Sequence, residues 1–383
     1  MATTPAPASK NDYGFVRFLD HAVGACALRI LGSCRLRRHA PPADVRSILL
    51  MKFDGLGDLV LVTGIADDLR RRYPGASITL LCGPFNYPLA SILAAFDRCV
   101  CLELHAPWRT VGELRRLNVD LCIDLGEWSR IEALLTRLSG AKYTTGFRTR
   151  GQHRHYAYDR VGDLRFDRHE IENYRALLRQ LDIPAGAPPT LALVPGASSA
   201  SPVTLPGARY AVIHMWSGSA RWAHLKEWPE DNWVRLIQWL TAQGLTVYVT
   251  GSSGDQARFD AFGQRCRSQG VSVQSAIGFR FPALMAFLRE AEVVVSIDTS
   301  IAHLSGALGV PTVGLHGPTS SKRWGAVGKR VVAIDSPTAG CGYMNWGADS
   351  DRKRASLKCM EAIDARVVLD EAARLMSLQE GEP

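Results

Sequence analysis

The chain contains 383 residues, of which 46% are hydrophobic, and its 45 basic and 37 acidic residues give a formal net charge of +8. A chain of this length is too long for one ordinary core and predicts two domains of typical size. The basic excess does not by itself indicate nucleic-acid binding, because no nucleic-acid-binding motif and no interleaving of basic with aromatic residues accompanies it. The nine cysteines form no C-x-x-C pair, which argues against a zinc or redox motif. They show no disulfide framework either, which favours a reducing cytosol.

The N-terminal 46 residues carry a net charge of +4, half of the total excess. Residues 1–11 are predicted to be a disordered tail. No signal peptide or membrane-spanning segment is expected, since the apolar run at 22–31 is too short to cross a bilayer. Apolar residues from Phe15 to Leu31 recur at helical spacing, which predicts an amphipathic helix. This helix either packs on its own domain, or residues 15–38 lie on an anionic membrane surface through the basic end Arg35–Arg38.

From Ser47 onward, apolar strands alternate with helices. The first half predicts a helix at 58–73 and strands at 48–53, 78–82, 99–104 and 121–125. A stretch with six prolines between Leu181 and Gly207 predicts a linker between domains. The second half then predicts strands at 210–214, 245–250, 293–297 and 312–315, and helices at 230–243, 255–268, 282–290, 300–308 and 364–376.

Continuous apolar strands with helical crossovers are typical of a parallel sheet covered on both faces. The predicted fold class is therefore α/β, with two doubly wound, Rossmann-like domains facing each other across a cleft. The predicted organisation is a tail and helix (1–46), a first domain (47–190), a linker (191–208), and a second domain ending in a C-terminal helix (209–383).

The first candidate site is the run Gly55-Leu56-Gly57-Asp58, which closes a strand and opens a helix. The two glycines permit a tight turn and a close approach of a ligand to the backbone. A dinucleotide-binding fingerprint would need a third glycine where Val60 stands, so an NAD site is not favoured. Asp58 is predicted to be a general base facing the cleft, and the alternative is a simple N-cap of the helix.

The second candidate site is the run Asp298-Thr299-Ser300, which follows a buried strand and opens another helix. Free backbone N–H groups and two hydroxyl groups would meet at one point there, and helix N-termini of this kind bind phosphate without a metal. His303 lies one turn into the helix, on the same side as Thr299 and Ser300. A single histidine in a helix is more often structural, so a ligand contact and a packing role both stay open for it.

A long polar loop at 215–229 follows another strand and carries Ser217, Arg221 and Lys226. Lys226 lies where a cation would neutralise a leaving diphosphate, although an exposed lysine before a helix is the simpler interpretation. Arg323, after Gly317, offers a further cation on the same rim. Asp349-Ser350-Asp351 has the D-x-D spacing of metal sites, but no buried strand precedes it and we interpret it as a surface loop. No metal site is predicted.

These motifs together resemble the heptosyltransferase family of glycosyltransferases, which are inverting enzymes of the two-domain GT-B fold that build the lipopolysaccharide core. The resemblance extends from Ser47 to the end of the chain. It rests on Gly57-Asp58-Leu59-Val60, Lys226-x-Trp228-Pro229, Asp298-Thr299-x-x-x-His303 and Gly317-Pro318-Thr319.

The resemblance implies an acceptor-binding first domain and a second domain that binds a nucleotide sugar. It implies Asp58 as the catalytic base, Lys226 as a catalytic cation at the diphosphate, and no cofactor or metal. The expected acceptor contacts are Gly55 and Gly57. The expected donor contacts are Ser217, Lys226, Asp298, Thr299, Ser300, His303, Gly317 and Arg323.

The expected partners are a nucleotide-sugar donor, most simply ADP-heptose, and a glycolipid or oligosaccharide acceptor, at the cytoplasmic face of the bacterial inner membrane. Ser300 replaces the usual glycine of the family, so a rhamnose or hexose donor stays open as an alternative. A nucleotide-sugar-binding module without transfer activity is the competing class, and an epimerase of the same fold is a third interpretation.

Overall fold

A computed structural model of the protein describes residues 20, 24–33, 39–53, 55–103, 105–197, 209–218, 223–344 and 358–378. The chain divides into two compact units, and the division falls between Val194 and Pro195. This position lies within the proline-rich stretch, of which residues 198–208 lie outside the described residues.

The first unit contains one six-stranded sheet in which every neighbouring pair is parallel. Its strands run in the order β3-β2-β1-β4-β5-β6. The strands are β1 (Ser47–Met51), β2 (Ser77–Cys82), β3 (Arg98–Cys101), β4 (Leu121–Asp124), β5 (Tyr143–Arg148) and β6 (Arg160–Asp163). The helices are α1 (Ala25–Ser33), α2 (Leu56–Arg72), α3 (Tyr87–Ala90), α4 (Pro107–Arg116), α5 (Arg130–Leu138) and α6 (Glu170–Arg179), with a 3₁₀ turn at Arg154–Ala157.

The second unit repeats this plan with a second parallel six-stranded sheet in the order β12-β11-β10-β7-β8-β9. Its strands are β7 (Tyr210–His214), β8 (Thr246–Gly251), β9 (Gln274–Ile277), β10 (Val293–Ile297), β11 (Thr312–His316) and β12 (Val331–Asp335). Its helices are α7 (Glu230–Ala242), α8 (Gln256–Ser268), α9 (Phe281–Arg289), α10 (Ser300–Ala307), α11 (Ser321–Trp324) and α12 (Ala365–Ser377), with 3₁₀ turns at Ala223–Lys226 and Ser253–Asp255.

In the central strands β1 and β10 every residue except Ser47 is buried, and all but Ser47 and Ser296 are apolar, as the apolar runs predicted. In the second unit Ile213, Val295 and Leu315 pack with the helix residues Trp233 and Leu375. In the first unit Leu49, Leu81 and Cys122 form a core with Leu114 and Leu135. The α/β prediction with two doubly wound sheets is confirmed.

Each sheet reverses its strand order at one point, between β1 and β4 in the first unit and between β7 and β10 in the second. In doubly wound sheets, ligands bind outside the carboxyl ends of the strands at this point. Asp58 lies in the first turn of the helix after β1, and Asp298 directly follows β10. Each therefore lies at the edge of its sheet where this rule places a ligand.

Helix α1 packs against its own unit through Leu28, which is fully buried with Ala133, Ala157 and Tyr158. On the same helix Ile30 is 64% exposed. Apart from Asp20 and Gly24, the remainder of the predicted N-terminal helix and its basic end, Arg35–Arg38, lie outside the described residues, so the membrane interpretation of residues 15–38 stays a prediction. Within the residues that the structure describes, no helix is both long enough and apolar enough to span a bilayer.

The cysteine prediction is wrong at one pair. Cys341 and Cys359 form a disulfide, with their Cα atoms 5.8 Å apart. The two residues are 18 positions apart and match no common cysteine spacing, so the sequence did not indicate the pair. The other six cysteines among the described residues are free thiols.

Candidate functional site

The loop after β1 brings Asp58 beside a buried lysine. Gly55 has φ +78°, a conformation that favours glycine, and a Cβ atom there would lie 2.5 Å from Asp58 Oδ2. Gly55 occupies the N-cap position of α2 and Asp58 is the third residue of the helix, so the interpretation of Asp58 as the N-cap is wrong. Lys52 Nζ lies 3.0 Å from Asp58 Oδ2, and the aspartate side chain keeps 18% of its surface exposed. The ion pair therefore orients a carboxylate that solvent still reaches.

Sequence reasoning missed Lys52 and Tyr174, which complete this first site. Lys52 Nζ lies 5.8 Å from the centre of the Tyr174 ring. Burial raises the pKa of Tyr174 well above its usual value, and the Asp58 carboxylate adds to the shift. Tyr174 is therefore a neutral phenol at physiological pH. The sequence did offer one indication of Lys52: a lysine directly after a continuous apolar strand is charged and cannot contribute to the apolar core.

The second site forms where β10 ends and α10 begins. Asp298 directly follows the buried strand, and Thr299 is extended (φ −146°) at the N-cap position of α10. Lys226 Nζ donates a hydrogen bond to the Asp298 carbonyl oxygen at 2.5 Å and lies 3.3 Å from Asp298 Oδ2. The 3₁₀ turn after β7 and the end of β10 therefore meet in one ion pair, as expected for neighbouring strands of the sheet.

Asp298 is ionised at all physiological pH values. Its burial alone would raise the pKa of the carboxyl group, but the Lys226 ammonium and the His316 and His303 imidazoles outweigh burial and lower the pKa to about 2. His316, the last residue of β11, is another residue that sequence reasoning missed. Burial lowers the pKa of His316, although Asp298 opposes the shift.

The first turn of α10 carries the hydroxyl groups that the sequence predicted. Thr299 Oγ1 lies 3.1 Å from Ser296 Oγ, and the Thr299 side chain makes no cap hydrogen bond to the helix. Thr299 and Ser300 are partly exposed, whereas His303 is buried. The first turn of α10 thus places two hydroxyl residues beside helix N–H groups in a partly exposed position, an arrangement that suits a phosphate.

Trp228, two residues after Lys226, anchors the end of this loop in the core of the second unit. The Trp228 indole N–H donates to the Ile363 carbonyl oxygen at 3.0 Å, and its ring meets Trp233 edge to face. The next residue, Glu227, accepts from the Ser217 backbone N–H at 3.4 Å and pairs through both oxygens with Arg258. Glu227 and Trp228, which follow Lys226 in the sequence, therefore help to fix the positions of Ser217 and Lys226.

The two remaining predicted donor contacts lie near the end of β11. A Cβ atom on Gly317 would lie 2.4 Å from Met360 Sδ, so only glycine fits this position without a shift of its neighbours. Arg323 is buried, with its guanidinium 4.4 Å from the centre of the Trp324 ring. It is thus a packed cation and not one on an exposed rim.

No group of three or more His, Cys, Asp or Glu side chains in the described part of the chain is placed to hold a metal ion. The D-x-D run at Asp349–Asp351 and the loop residue Arg221 lie outside the described residues. Lys226 and the α10 N-terminus are the positive groups that the described site offers to an anionic ligand.

Comparisons with known proteins identify the family of the chain. Residues 108–344, more than half of the chain, match the model of glycosyltransferase family 9 (heptosyltransferase). The chain is 26% identical over 315 residues to lipopolysaccharide heptosyltransferase 1 of Pseudomonas aeruginosa, which covers 77% of this chain and 85% of that protein.

Two solved structures are similar in fold. The structure of the Escherichia coli ADP-heptose lipopolysaccharide heptosyltransferase II has a TM-score of 0.71 at 22% identity, covering 88% of this chain and 100% of that chain. The E. coli heptosyltransferase WaaC with ADP has a TM-score of 0.63 at 19% identity, covering 86% and 99%. These likenesses confirm the GT-B fold. The chain belongs to glycosyltransferase family 9, the heptosyltransferase family, and is a glycosyltransferase.

Proposed function

We propose that the protein transfers a heptose from ADP-heptose to a hydroxyl group of a lipopolysaccharide-type glycolipid, with inversion at the anomeric carbon and without a metal ion. The observation that carries this proposal is the Lys226–Asp298 pair at the first turn of α10. It sets a cation and a helix N-terminus at the carboxyl end of a central strand, where a diphosphate would lie. The relatives named above act on lipopolysaccharide, and WaaC was solved with ADP.

In the proposed donor site, Lys226 and the N-terminus of α10 compensate the charge that develops on the leaving diphosphate. Thr299 and Ser300 supply hydroxyl groups to the same anion. The remaining proposed donor contacts are Ser217, Asp298, His303, Gly317 and Arg323. A lysine and helix N–H groups can supply the electrostatic stabilisation that a divalent cation supplies in other nucleotide-sugar enzymes, which is the reason for proposing metal independence.

In the proposed acceptor site, Asp58 is the general base. Its partly exposed carboxylate accepts the proton of the acceptor hydroxyl as that oxygen attacks the anomeric carbon, and ADP leaves from the opposite face of the sugar. Gly55 and Gly57 let the acceptor approach the backbone of the loop. Inversion follows because a single in-line displacement breaks the sugar–phosphate bond as the new glycosidic bond forms.

The proposed cellular setting is the cytoplasmic face of the inner membrane, where residues 15–38 would contact anionic lipid. The buried Leu28 shows that part of this segment already packs on the protein. We therefore assign any lipid contact to the basic residues outside the packed helix. Flotation with anionic vesicles, with and without residues 1–38, tests this assignment, and equal flotation would contradict it.

The function is tested by incubating the protein with ADP-heptose and a heptose-free lipopolysaccharide acceptor, with and without EDTA. We expect transfer in both conditions and a product whose anomeric configuration, measured by NMR, is opposite to that of the donor. Parallel reactions with GDP-, UDP- and dTDP-sugars test the donor. Retention of configuration or loss of activity in EDTA would contradict the mechanism, and donor binding without transfer would identify a binding module.

A further inference from the structure

One buried arginine in the first unit joins three segments at the carboxyl ends of its strands. Arg154, in the 3₁₀ turn after β5, is fully buried. Its Nη2 lies 2.9 Å from Asp124 Oδ1 and donates to the Gly126 carbonyl oxygen at 2.8 Å, while Nη1 lies 3.6 Å from Glu132 Oε2 and also donates to the Ser129 carbonyl oxygen. Two carboxylates and two backbone carbonyl oxygens thus satisfy a charge that would be costly if it were unpaired.

Glu132 extends this network to the loop that carries Asp58. Its Oε1 accepts the backbone N–H of Phe53 at 3.0 Å. The carboxylate fits there because residue 126 is glycine, where a Cβ atom would clash with Glu132 Oε2. The carbonyl oxygen of Phe53 accepts from the Gly83 N–H at 3.1 Å. Phe53, five residues before Asp58, is therefore held by hydrogen bonds at both its N–H and its carbonyl group.

The N-terminal segment packs on the same network. Asp20 Oδ1 accepts the Ile131 N–H at 2.8 Å, in the first turn of the helix that carries Glu132. Leu28 packs on Tyr158, whose hydroxyl donates to Asp124 Oδ2 at 2.6 Å. The segment before β1 thus contacts the helix of Glu132 and also Tyr158, which bonds to Asp124, the partner of Arg154.

We propose that Glu132, held by Arg154, is a positioning residue that fixes the segment leading into Asp58, and that the described part of the N-terminal segment (residues 20 and 24–33) stabilises this arrangement. The inference rests on the proposed function for the role of Asp58. A carboxylate that acts as a base must lie within a fraction of an ångström of its productive position, and a misplacement of 1 Å can cost about 100-fold in rate. A rigid buried ion pair can supply that placement from a distance.

The test uses a matched pair of carboxylates at opposite ends of β1. Asp120 accepts the Arg46 and Ser47 N–H groups at 2.8 and 3.0 Å, before the strand, as Glu132 accepts the Phe53 N–H after it. Glu132→Gln is expected to lower kcat for sugar transfer roughly 30-fold, with less than a twofold change in the Kd of the donor. Asp120→Asn is expected to change kcat by less than about threefold. Equal losses in the two variants would overturn the proposal.

A double-mutant cycle separates positioning from general damage. If Glu132 acts through Asp58, then Glu132→Gln in an Asp58→Asn background lowers kcat by less than about threefold further. An additional 30-fold loss in that background would overturn the proposal. If Asp58→Asn alone leaves kcat unchanged, the base assignment of the proposed function has failed, and amide exchange decides the positioning claim by itself.

Hydrogen exchange reports the placement of the loop without any assumption about catalysis. Exchange of the Phe53 and Leu59 amides should accelerate at least tenfold in Glu132→Gln and stay unchanged in Asp120→Asn.

Leu28→Ala, with Ile30→Ala as control on the same helix, gives a second test should Glu132→Gln fail to fold. We expect faster exchange at Phe53 only in Leu28→Ala, and equal exchange in the two helix variants would overturn the role of the N-terminal segment.

Discussion

The two units share one sheet topology and place a lysine–carboxylate pair at equivalent edges, but the pairs are built differently. Lys52 and Asp58 come from one loop and the helix that follows it, and 18% of the Asp58 side chain is exposed. Lys226 and Asp298 follow two different strands, and only 9% of the Asp298 side chain is exposed. A pair within one loop leaves its carboxylate available for chemistry. The pair between two strands also joins the segments that follow these two strands.

The largest expected effect follows from the exposure of Asp58. Asp58→Asn should lower kcat about 1,000-fold, because a positioned general base contributes roughly 10²- to 10⁴-fold to the rate. The Kd of the donor, measured by calorimetry, should change less than twofold. Asp67→Asn, a carboxylate further along the same helix, is the control and should keep normal turnover. A loss of donor affinity that matches the loss of kcat would mean that Asp58 is a binding group.

The pair between two strands predicts a combined loss of binding and stability. Lys226→Met leaves the Asp298 carboxylate buried without its main cation, and breaking a buried pair in this way costs about 3 kcal/mol of unfolding free energy. Donor affinity should fall at least tenfold in the same variant. Both are measured on one preparation, by denaturant unfolding and by calorimetry.

The matched control for Lys226→Met is Lys358→Met, which breaks an exposed ion pair in the same unit. Lys358 Nζ lies 2.9 Å from Glu361 Oε2, with 76% of the lysine side chain exposed. Surface pairs of this kind contribute about 0.5 kcal/mol or less. A similar loss of stability in the two variants would contradict the distinction between a buried and a surface pair in this unit.

Acid should destabilise the protein in two separate pH windows. Burial lowers the pKa of His214 to about 4, so the unfolded state binds more protons than the folded state between about pH 6.5 and 4. Stability is lost as the pH falls through this window, by about 3 kcal/mol. For Asp298, with a pKa of about 2, the loss begins below about pH 4 and reaches about 2 kcal/mol.

Two variants test which residue causes the loss of stability in each pH window. His214→Asn should flatten the dependence of unfolding free energy on pH between about 6.5 and 4, and Asp298→Asn should flatten it only below about pH 4. Unfolding in urea at half-unit pH intervals measures both. An unchanged slope between pH 6.5 and 4 in His214→Asn would show that another group titrates there.

The regular elements were predictable because their signal is local. The strands Tyr210–His214 and Val293–Ile297 were predicted with the ends that the structure shows, since a buried parallel strand is a run of mainly apolar residues. The positions of Asp58 and Asp298 followed from the same signal. Each stands just past such a run, at the start of a helix.

The charge networks were not predictable, because they depend on contacts between residues far apart in the sequence. Glu132 and Arg154 are 22 positions apart and pair only after α5 and the 3₁₀ turn have packed. Tyr174 approaches Lys52 from a helix at the end of the first unit. The Cys341–Cys359 disulfide likewise joins residues 18 positions apart. Periodicity tells which face of a helix is buried, but it does not tell which buried charges meet.

The smallest expected effect concerns the Thr299 hydroxyl group, and it tests whether this group binds the donor or stabilises the helix. Thr299 makes no cap hydrogen bond to α10, whereas Asp364 caps α12 by accepting the Arg366 N–H at 2.9 Å. Asp364→Ala should therefore cost about 1 kcal/mol of unfolding free energy, and Thr299→Ala less than about 0.5 kcal/mol. Thr299→Ala should instead weaken donor binding roughly fivefold, since a typical hydrogen bond contributes about 1 kcal/mol. Equal destabilisation in the two variants would mean that the Thr299 hydroxyl serves the helix, and the phosphate site would then consist of Lys226 and backbone N–H groups alone.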